Sequence, residues 1–237
     1  MPQSYFIWNG KDCRNMGIIL SGPAPIIRAE ERISHVTIPG RSGDLTETEG
    51  ENIYNSYIQT ITMSVKGGFR VREIYAWLRG AGYVTFSGEP DRRQKARVIG
   101  AITLNKHSRN SDWWDGEMQF YCQPLKELLL EEKVTITTSG SSVHNGGDVD
   151  CRPMWKVTPS ASSATITANG STLTVTGLTS GTVIWIDSDT MEVWNAAKTT
   201  LLTKNSTGDF PMLAPGDNSV TGSGWSSIEI ERRERYL

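Results

Sequence analysis

Cysteine is scarce in this 237-residue chain: Cys13, Cys122 and Cys151 are three in number and far apart. Such a set is unlike the dense, even sets of secreted disulfide scaffolds, and buried thiols are expected instead. Histidine is equally scarce. His35, His107 and His144 have no Cys, His or carboxylate at the spacing of a metal motif, so no metal ion and no organic cofactor is expected. No run approaches the roughly 18 consecutive apolar residues of a membrane span, and the opening Met1-Pro2-Gln3-Ser4-Tyr5 lacks a basic region followed by an apolar one. The expectation is no membrane insertion, with assembly in a cytoplasm. An excess of one charge is missing too. With 24 Lys and Arg against 26 Asp and Glu the formal charge is −2, which removes the electrostatic footprint of a specific nucleic-acid binder.

What is present is enough apolar side chain to build cores, 37 % of the residues, in a length that suits two domains. Tyr57, Ile61, Met63 and Val65 share one parity and Thr60, Thr62, Ser64 and Lys66 the other, the period-2 pattern of a half-buried strand. A turn at Gly67-Gly68 leads to Val71, Ile74, Tyr75 and Leu78 at helical spacing, with Gly80 placed to end the helix. Strands are predicted at 83–87, 97–104 and 116–123, the last stopped by Pro124, which has no N–H for a continued ladder. The composition then shifts to Leu, Glu and Lys, followed by Ser139-Gly140-Ser141-Ser142. This places a boundary near residue 130, giving domains 1–130 and 131–237, the second beginning with a linker at 131–148. Beyond it, Asn169-Gly170 between 165–168 and 173–176 reads as a type I′ hairpin, and further strands at 182–187, 191–194 and 227–231 complete an antiparallel sandwich. The fold class is mainly β, one sheet with a single helix followed by a sandwich.

Catalysis has little to work with. Gly40-Arg41-Ser42-Gly43 lacks the spacing and Lys of a phosphate loop and the outer glycines of a nucleophile elbow. Glu47, Glu49 and Glu51 alternate, and Asp187 and Asp189 flank a turn; either set is a formal acid–base candidate. A solvated strand face and turn-capping side chains explain the same residues without chemistry. Four of the eight tryptophans, Trp155, Trp185, Trp194 and Trp225, fall in the second domain. Trp185 lies in an apolar strand and is expected in the core, while Trp225, among Gly and Ser, is expected to be exposed and is the candidate for stacking on a sugar ring.

In their order along the chain these features resemble a known family, the siphophage distal tail proteins. The resemblance rests on Phe6-Ile7-Trp8-Asn9-Gly10 with Met16-Gly17-Ile18, on Ile38-Pro39-Gly40-Arg41-Ser42-Gly43-Asp44-Leu45, and on Trp77-Leu78 with Val84-Thr85-Phe86-Ser87 and Glu89-Pro90-Asp91. It continues through Phe120-Tyr121-Cys122-Gln123-Pro124, Val143-His144-Asn145-Gly146-Gly147, Cys151-Arg152-Pro153 and Leu213-Ala214-Pro215-Gly216-Asp217-Asn218. The family commonly has Asp where Ser42 stands. The resemblance implies a non-enzymatic virion protein at the tail tip. Its first, barrel-like domain closes six copies into a ring, and a galectin-like β-sandwich hangs outside. It implies as partners other copies of the chain, the tail tube protein, the tail-associated tip protein and the tape measure passing through the channel. A hairpin within 30–57, with Ile38, Pro39, Arg41 and Asp44, is the expected self-assembly site. The alternatives are a carbohydrate-binding module for host cell-wall sugars and, third, a wall-degrading enzyme.

Overall fold

In a computed structural model of the chain, residues 3–48, 50, 52–67 and 71–237 are described. They divide into two compact units, the first through Leu129 together with Leu237, the second Leu130–Tyr236. The first unit holds β1 (Phe6–Trp8), β2 (Lys11–Asp12), β3 (Ile18–Leu20), β4 (Ile33–Val36), β5 (Leu45–Thr48), β6 (Tyr57–Lys66), α1 (Val71–Trp77), β7 (Ala81–Phe86), β8 (Arg92–Lys106) and β9 (Trp113–Leu128). Seven strands pair antiparallel in the order β2-β1-β7-β8-β9-β6-β3, an open sheet whose ends, β2 and β3, do not pair with each other. The parity read from β6 is the parity found: Gln59, Ile61, Met63 and Val65 are buried while Ile58, Thr60 and Thr62 face out. On the inner face, α1 lowers Ile74 into a core with Phe6, Trp8 and Phe120, and Trp77 stacks on Phe6 with ring centroids 5.8 Å apart. Gly80 follows at φ +78, a left-handed conformation that carries a steric penalty for any residue with a Cβ. Gly68 of the expected turn before the helix lies outside the described residues.

Pro124 does not stop β9. The strand runs on to Leu128, opposite Arg92 of β8, because the ladder slips at this point: Ala96 pairs with Cys122 and Gln94 with Lys126. Residues 123–125 therefore lie in a bulge, where a missing N–H removes nothing from the ladder.

The second unit is a sandwich of ten strands: β10 (Val134–Ile136), β11 (Ser141–Asn145), β12 (Met154–Pro159), β13 (Ser163–Ala168), β14 (Ser171–Thr176), β15 (Ile184–Asp187), β16 (Glu192–Asn195), β17 (Ser206–Gly208), β18 (Gly216–Ser223) and β19 (Trp225–Glu231). One sheet has the order β10-β19-β12-β15-β16 and the other β11-β18-β13-β14-β17. Both contribute to a single core around Trp155, Ile166, Leu173, Ile186, Val220 and Ile230. This is the galectin-like sandwich the resemblance implied. Asn169 (φ 46) and Gly170 (φ 77) make the expected turn, joining β13 to β14 from Ala168 to Ser171.

Residues 131–148 are not a linker. β10 pairs with β19 in one sheet and β11 with β18 in the other, and Ile136 and Val143 enter the core. The Gly/Ser run is the tight passage from one sheet to the other. There the Ser141 hydroxyl donates to the Thr138 carbonyl at 2.7 Å, and the Ser139 hydroxyl accepts from the Gly222 N–H at 3.0 Å.

Candidate assembly site

Between β3 and β6 the chain leaves the sheet of the first unit. Its root is fixed by backbone bonds from Asn55 N–H to the Glu30 carbonyl (2.7 Å) and from Arg32 N–H to the Ile53 carbonyl (2.9 Å). Beyond the root, among the described residues, β4 and β5 pair only with each other, Ile33 opposite Thr48 and Val36 opposite Leu45. Every residue from Glu31 to Asp44 is exposed, including Ile33 (39 %), Val36 (43 %) and Ile38 (38 %). Val36 and Leu45 stand directly opposite each other and share one face near the tip, with Ile38 two residues beyond the end of β4. The tip is a turn closed by Arg41 N–H to the Ile38 carbonyl at 3.1 Å, with Gly40 and Gly43 both at positive φ. The Thr37 hydroxyl donates to the Asp44 carboxylate at 2.8 Å, so Asp44 braces its own hairpin, while the Arg41 side chain has no partner among the described residues. The structure thus brings Ile38, Pro39, Arg41 and Asp44 together at the end of a free-standing arm. An isolated two-stranded hairpin is marginal in water.

The residues weighed for chemistry are placed otherwise. Asp187 is occupied by Arg233, whose guanidinium donates to both carboxylate oxygens (2.8 and 3.1 Å), and it accepts from the N–H groups of Asp189 and Thr190. Burial pushes its pKa up, but Arg233 and the backbone donors outweigh burial and hold it below the usual carboxylate value. Glu47 lies on the exposed arm opposite Ser34; Glu49 and Glu51 lie outside the described residues. In the first unit His107 Nδ1 and Ser64 Oγ both contact Asp115, at 2.7 and 2.6 Å. The serine proton goes to the carboxylate rather than to the imidazole, so the three do not make a nucleophile and its base. All three cysteines are buried and free, and burial pushes the thiols of Cys122 and Cys151 up to about 12, which keeps them unreactive at neutral pH. Among the described residues no group of three or more His, Cys, Asp or Glu is arranged to hold a metal ion.

The tryptophans exchange the places expected of them. Trp225 is buried (9 % exposed) and its indole N–H donates to the Thr165 carbonyl at 3.1 Å, so no face is free for a sugar. The cause is a register shift: Pro159 pairs with Trp225 but Thr158 with Ser227, and the extra residue, Ser226, turns Trp225 to the side of Ile228. Trp185 is the one on the outer face, beside Trp194 across the ladder, with Lys198 Nζ 4.0 Å over its ring.

Sequence reasoning did not single out the side-chain functions of Asn145 and Asn218, although both stand in motifs that carry the resemblance. Asn145 donates to the Val149 and Leu213 carbonyls and accepts from Gly147 N–H. Asn218 closes the Pro215-Gly216 turn by bonding both backbone groups of Ala214. Buried amides that satisfy loop backbone in this way are structural.

Two antiparallel β units, the first with a protruding arm, make up the described chain. Residues 146–236 match the family described as siphovirus-type tail component, C-terminal domain. No curated protein matches. Among solved structures the chain is similar to the Dit protein (gp 19.1) of phage SPP1, with 18 % identity over 99 % of each chain and a TM-score of 0.81. A weaker likeness, 9 % identity over 99 % of each chain with a TM-score of 0.48, is to the baseplate of phage p2 in its activated, strontium-containing conformation. The resemblance read from the sequence is borne out: the C-terminal unit is a siphovirus-type tail component domain, and the whole chain takes the Dit fold.

Proposed function

We propose that this chain is the hub protein of the distal tail, closing six copies into a ring between the tail tube and the host-binding tip. The tape measure and then DNA pass through the ring, whose near-neutral subunits do not retain nucleic acid. The SPP1 relative is described as a paradigm of the hub of adsorption apparatus in phages that infect Gram-positive bacteria, and this reading brings that role to the present chain. The observation that carries it is the arm. Three exposed aliphatic side chains on a hairpin with no cover of its own ask for burial elsewhere, each worth on the order of 1 kcal/mol when the exposed part of its surface is removed from water. An arm on one side and a different receiving surface on another make a heterologous contact, and a heterologous contact whose rotation closes makes a ring. In this ring Arg41 pairs across subunits with Asp44, the first unit supplies the closing surfaces, and the sandwich is dispensable for closure. Particles are assembled in the host cytoplasm.

The test is native mass spectrometry and light scattering of the full chain over a wide concentration range. A hexamer is expected at high concentration, lost in Ile38→Asp. A chain that stays monomeric at every concentration overturns the ring.

A further inference from the structure

We propose that Asn169 is a site of spontaneous modification, where the carboxamide loses ammonia and leaves an aspartyl or isoaspartyl residue, and that the same dipeptide at Asn9 is protected by a lock on Tyr83. The two turns are a matched pair. Asn9-Gly10 joins β1 to β2 and Asn169-Gly170 joins β13 to β14, each lying between two paired residues, Trp8 with Lys11 and Ala168 with Ser171. Their backbones nearly coincide, with φ 49 and 77 in the first turn and 46 and 77 in the second. All four residues are exposed, and a Cβ added at either glycine meets nothing within 4 Å.

The chemistry asks little beyond this dipeptide. The Gly170 amide nitrogen attacks Cγ of Asn169; the N–Cγ bond forms, the Cγ–Nδ2 bond breaks, and ammonia leaves with the proton of the Gly170 N–H. Water then opens the succinimide ring. Hydrolysis at Cγ gives an aspartyl residue, and hydrolysis at the backbone carbonyl gives an isoaspartyl residue whose main chain is longer by a methylene. Glycine has no side chain to crowd the attacking nitrogen, and the open turn admits water. For the attack the carboxamide has to swing over the next nitrogen, so a carboxamide tied elsewhere reacts slowly.

That requirement separates the chain's three Asn-Gly pairs. Asn9 is tied to β7 at both ends: its Oδ1 accepts from the Tyr83 N–H at 2.9 Å, and its own N–H donates to the Tyr83 carbonyl at 2.9 Å. Its carboxamide fills the space above Gly82, where an added Cβ would overlap Oδ1. Asn145 is 1 % exposed, and both ends of its amide are held by the backbone. The nitrogen that would attack it is also engaged, since the Gly146 N–H donates to Glu234 at 3.0 Å. Among the described residues the Asn169 carboxamide has no hydrogen-bond partner. Exposure and turn type are thus shared by Asn9 and Asn169, and the hydrogen bond to Tyr83 is what sets them apart. Each conversion adds a negative charge at the tip of β13–β14. In the hub proposed above the chain is not renewed after assembly, so the product accumulates with particle age.

The experiment is peptide mapping by mass spectrometry of the full chain kept folded in mildly alkaline buffer, beside the same chain in denaturant, with isoaspartyl residues counted by enzymatic methylation. In denaturant the three pairs are expected to convert at comparable rates. In the folded chain Asn169 is expected to convert roughly three- to tenfold faster than Asn9, the factor set by one hydrogen bond of ordinary net strength, and Asn145 is expected to be the slowest. The full-length variant Gly82→Ala, checked by circular dichroism and thermal unfolding, displaces the Asn9 carboxamide from Tyr83. It is expected to raise Asn9 to the rate of Asn169 and to leave Asn169 unchanged. If Asn169 in the folded chain is as slow as Asn145, the turn itself protects and the site is overturned; this comparison needs only the unaltered chain. If Asn9 converts as fast as Asn169 in the unaltered chain, or stays protected in Gly82→Ala, the lock is overturned.

Discussion

Two hairpins of this molecule are built alike and used oppositely. β4–β5 and β13–β14 are both antiparallel pairs with regular registers, and both turns contain a glycine at positive φ, Gly40 and Gly170. β13–β14 is flanked by β18 and β17 and buries Ile166, Leu173 and Val175. Among the described residues β4–β5 has no third strand, and every residue from Glu31 to Asp44 is exposed. Local turn chemistry makes a hairpin; the neighbours decide whether it is core or contact surface. In the second unit the hairpin's free energy belongs to folding, and in the first, in the ring proposed above, it is held back for association.

The sharpest way to break this comparison is to change one aliphatic residue in each hairpin. Ile166→Ala removes a side chain 1 % exposed and is expected to lower unfolding stability by about 2–5 kcal/mol. Ile38→Asp, on the arm, is expected to stay within about 0.5 kcal/mol of the unaltered chain while abolishing assembly. Denaturant unfolding below the assembling concentration checks both. A large stability loss from Ile38→Asp shows that the arm is packed within its own subunit.

The ion pair of Asp187 with Arg233 sharpens the account of the second unit. Both side chains are largely buried (11 % and 24 % exposed), and Arg233→Leu is expected to cost about 1.5–3 kcal/mol, the range for hydrogen bonds to a charged group. The pH dependence has a definite sign. Asp187 has its folded pKa lowered, so its contribution is present above the unfolded value of about 3.9 and is lost as pH falls through the lower folded value. In Arg233→Leu that acid loss is expected to shrink, because burial is no longer outweighed. Unfolding curves between pH 2 and 6 measure it, and an unchanged acid limb rules out Arg233 as the cause.

How far the sequence is legible differs between the hairpins for the same reason. Asn169-Gly170 specifies a turn within two residues, and the parity of Ile61, Met63 and Val65 specifies a face, because both depend on local geometry. Pro124 and Trp225 depart from expectation because each sits at a register shift: residues 123–125 stand opposite the single residue between Gln94 and Ala96, and at Trp225 the one inserted residue, Ser226, reverses the facing. Trp185 lies between Ile184 and Ile186 in an unbroken apolar run whose parity is hidden. The Gly/Ser run at 139–142 has linker composition but is held by Val220 and Gly222 from β18, contacts distant in sequence. The motif Ile38–Leu45 is visible as a motif, yet its exposure depends on which strands do not come to cover it.

The smallest expected effect separates the hairpins at matched positions. Gly40 has φ +82 and Gly170 φ +77, and an added Cβ meets nothing within 4 Å at either. Alanine at each site therefore carries the same local penalty, roughly 1–2 kcal/mol for a non-glycine residue held in the left-handed region. In β13–β14 the turn is part of the cooperative sandwich, so Gly170→Ala is expected to show that penalty in global unfolding. In β4–β5 the arm can fray while its sheet stays folded, so Gly40→Ala is expected to leave global unfolding unchanged and to raise amide hydrogen exchange in the arm alone. Association then has to supply the free energy of straightening the arm, and the ring should require a higher protein concentration. Equal losses of global stability in the two variants mean that arm and sheet unfold as one, and the division between a folding hairpin and an associating one does not hold.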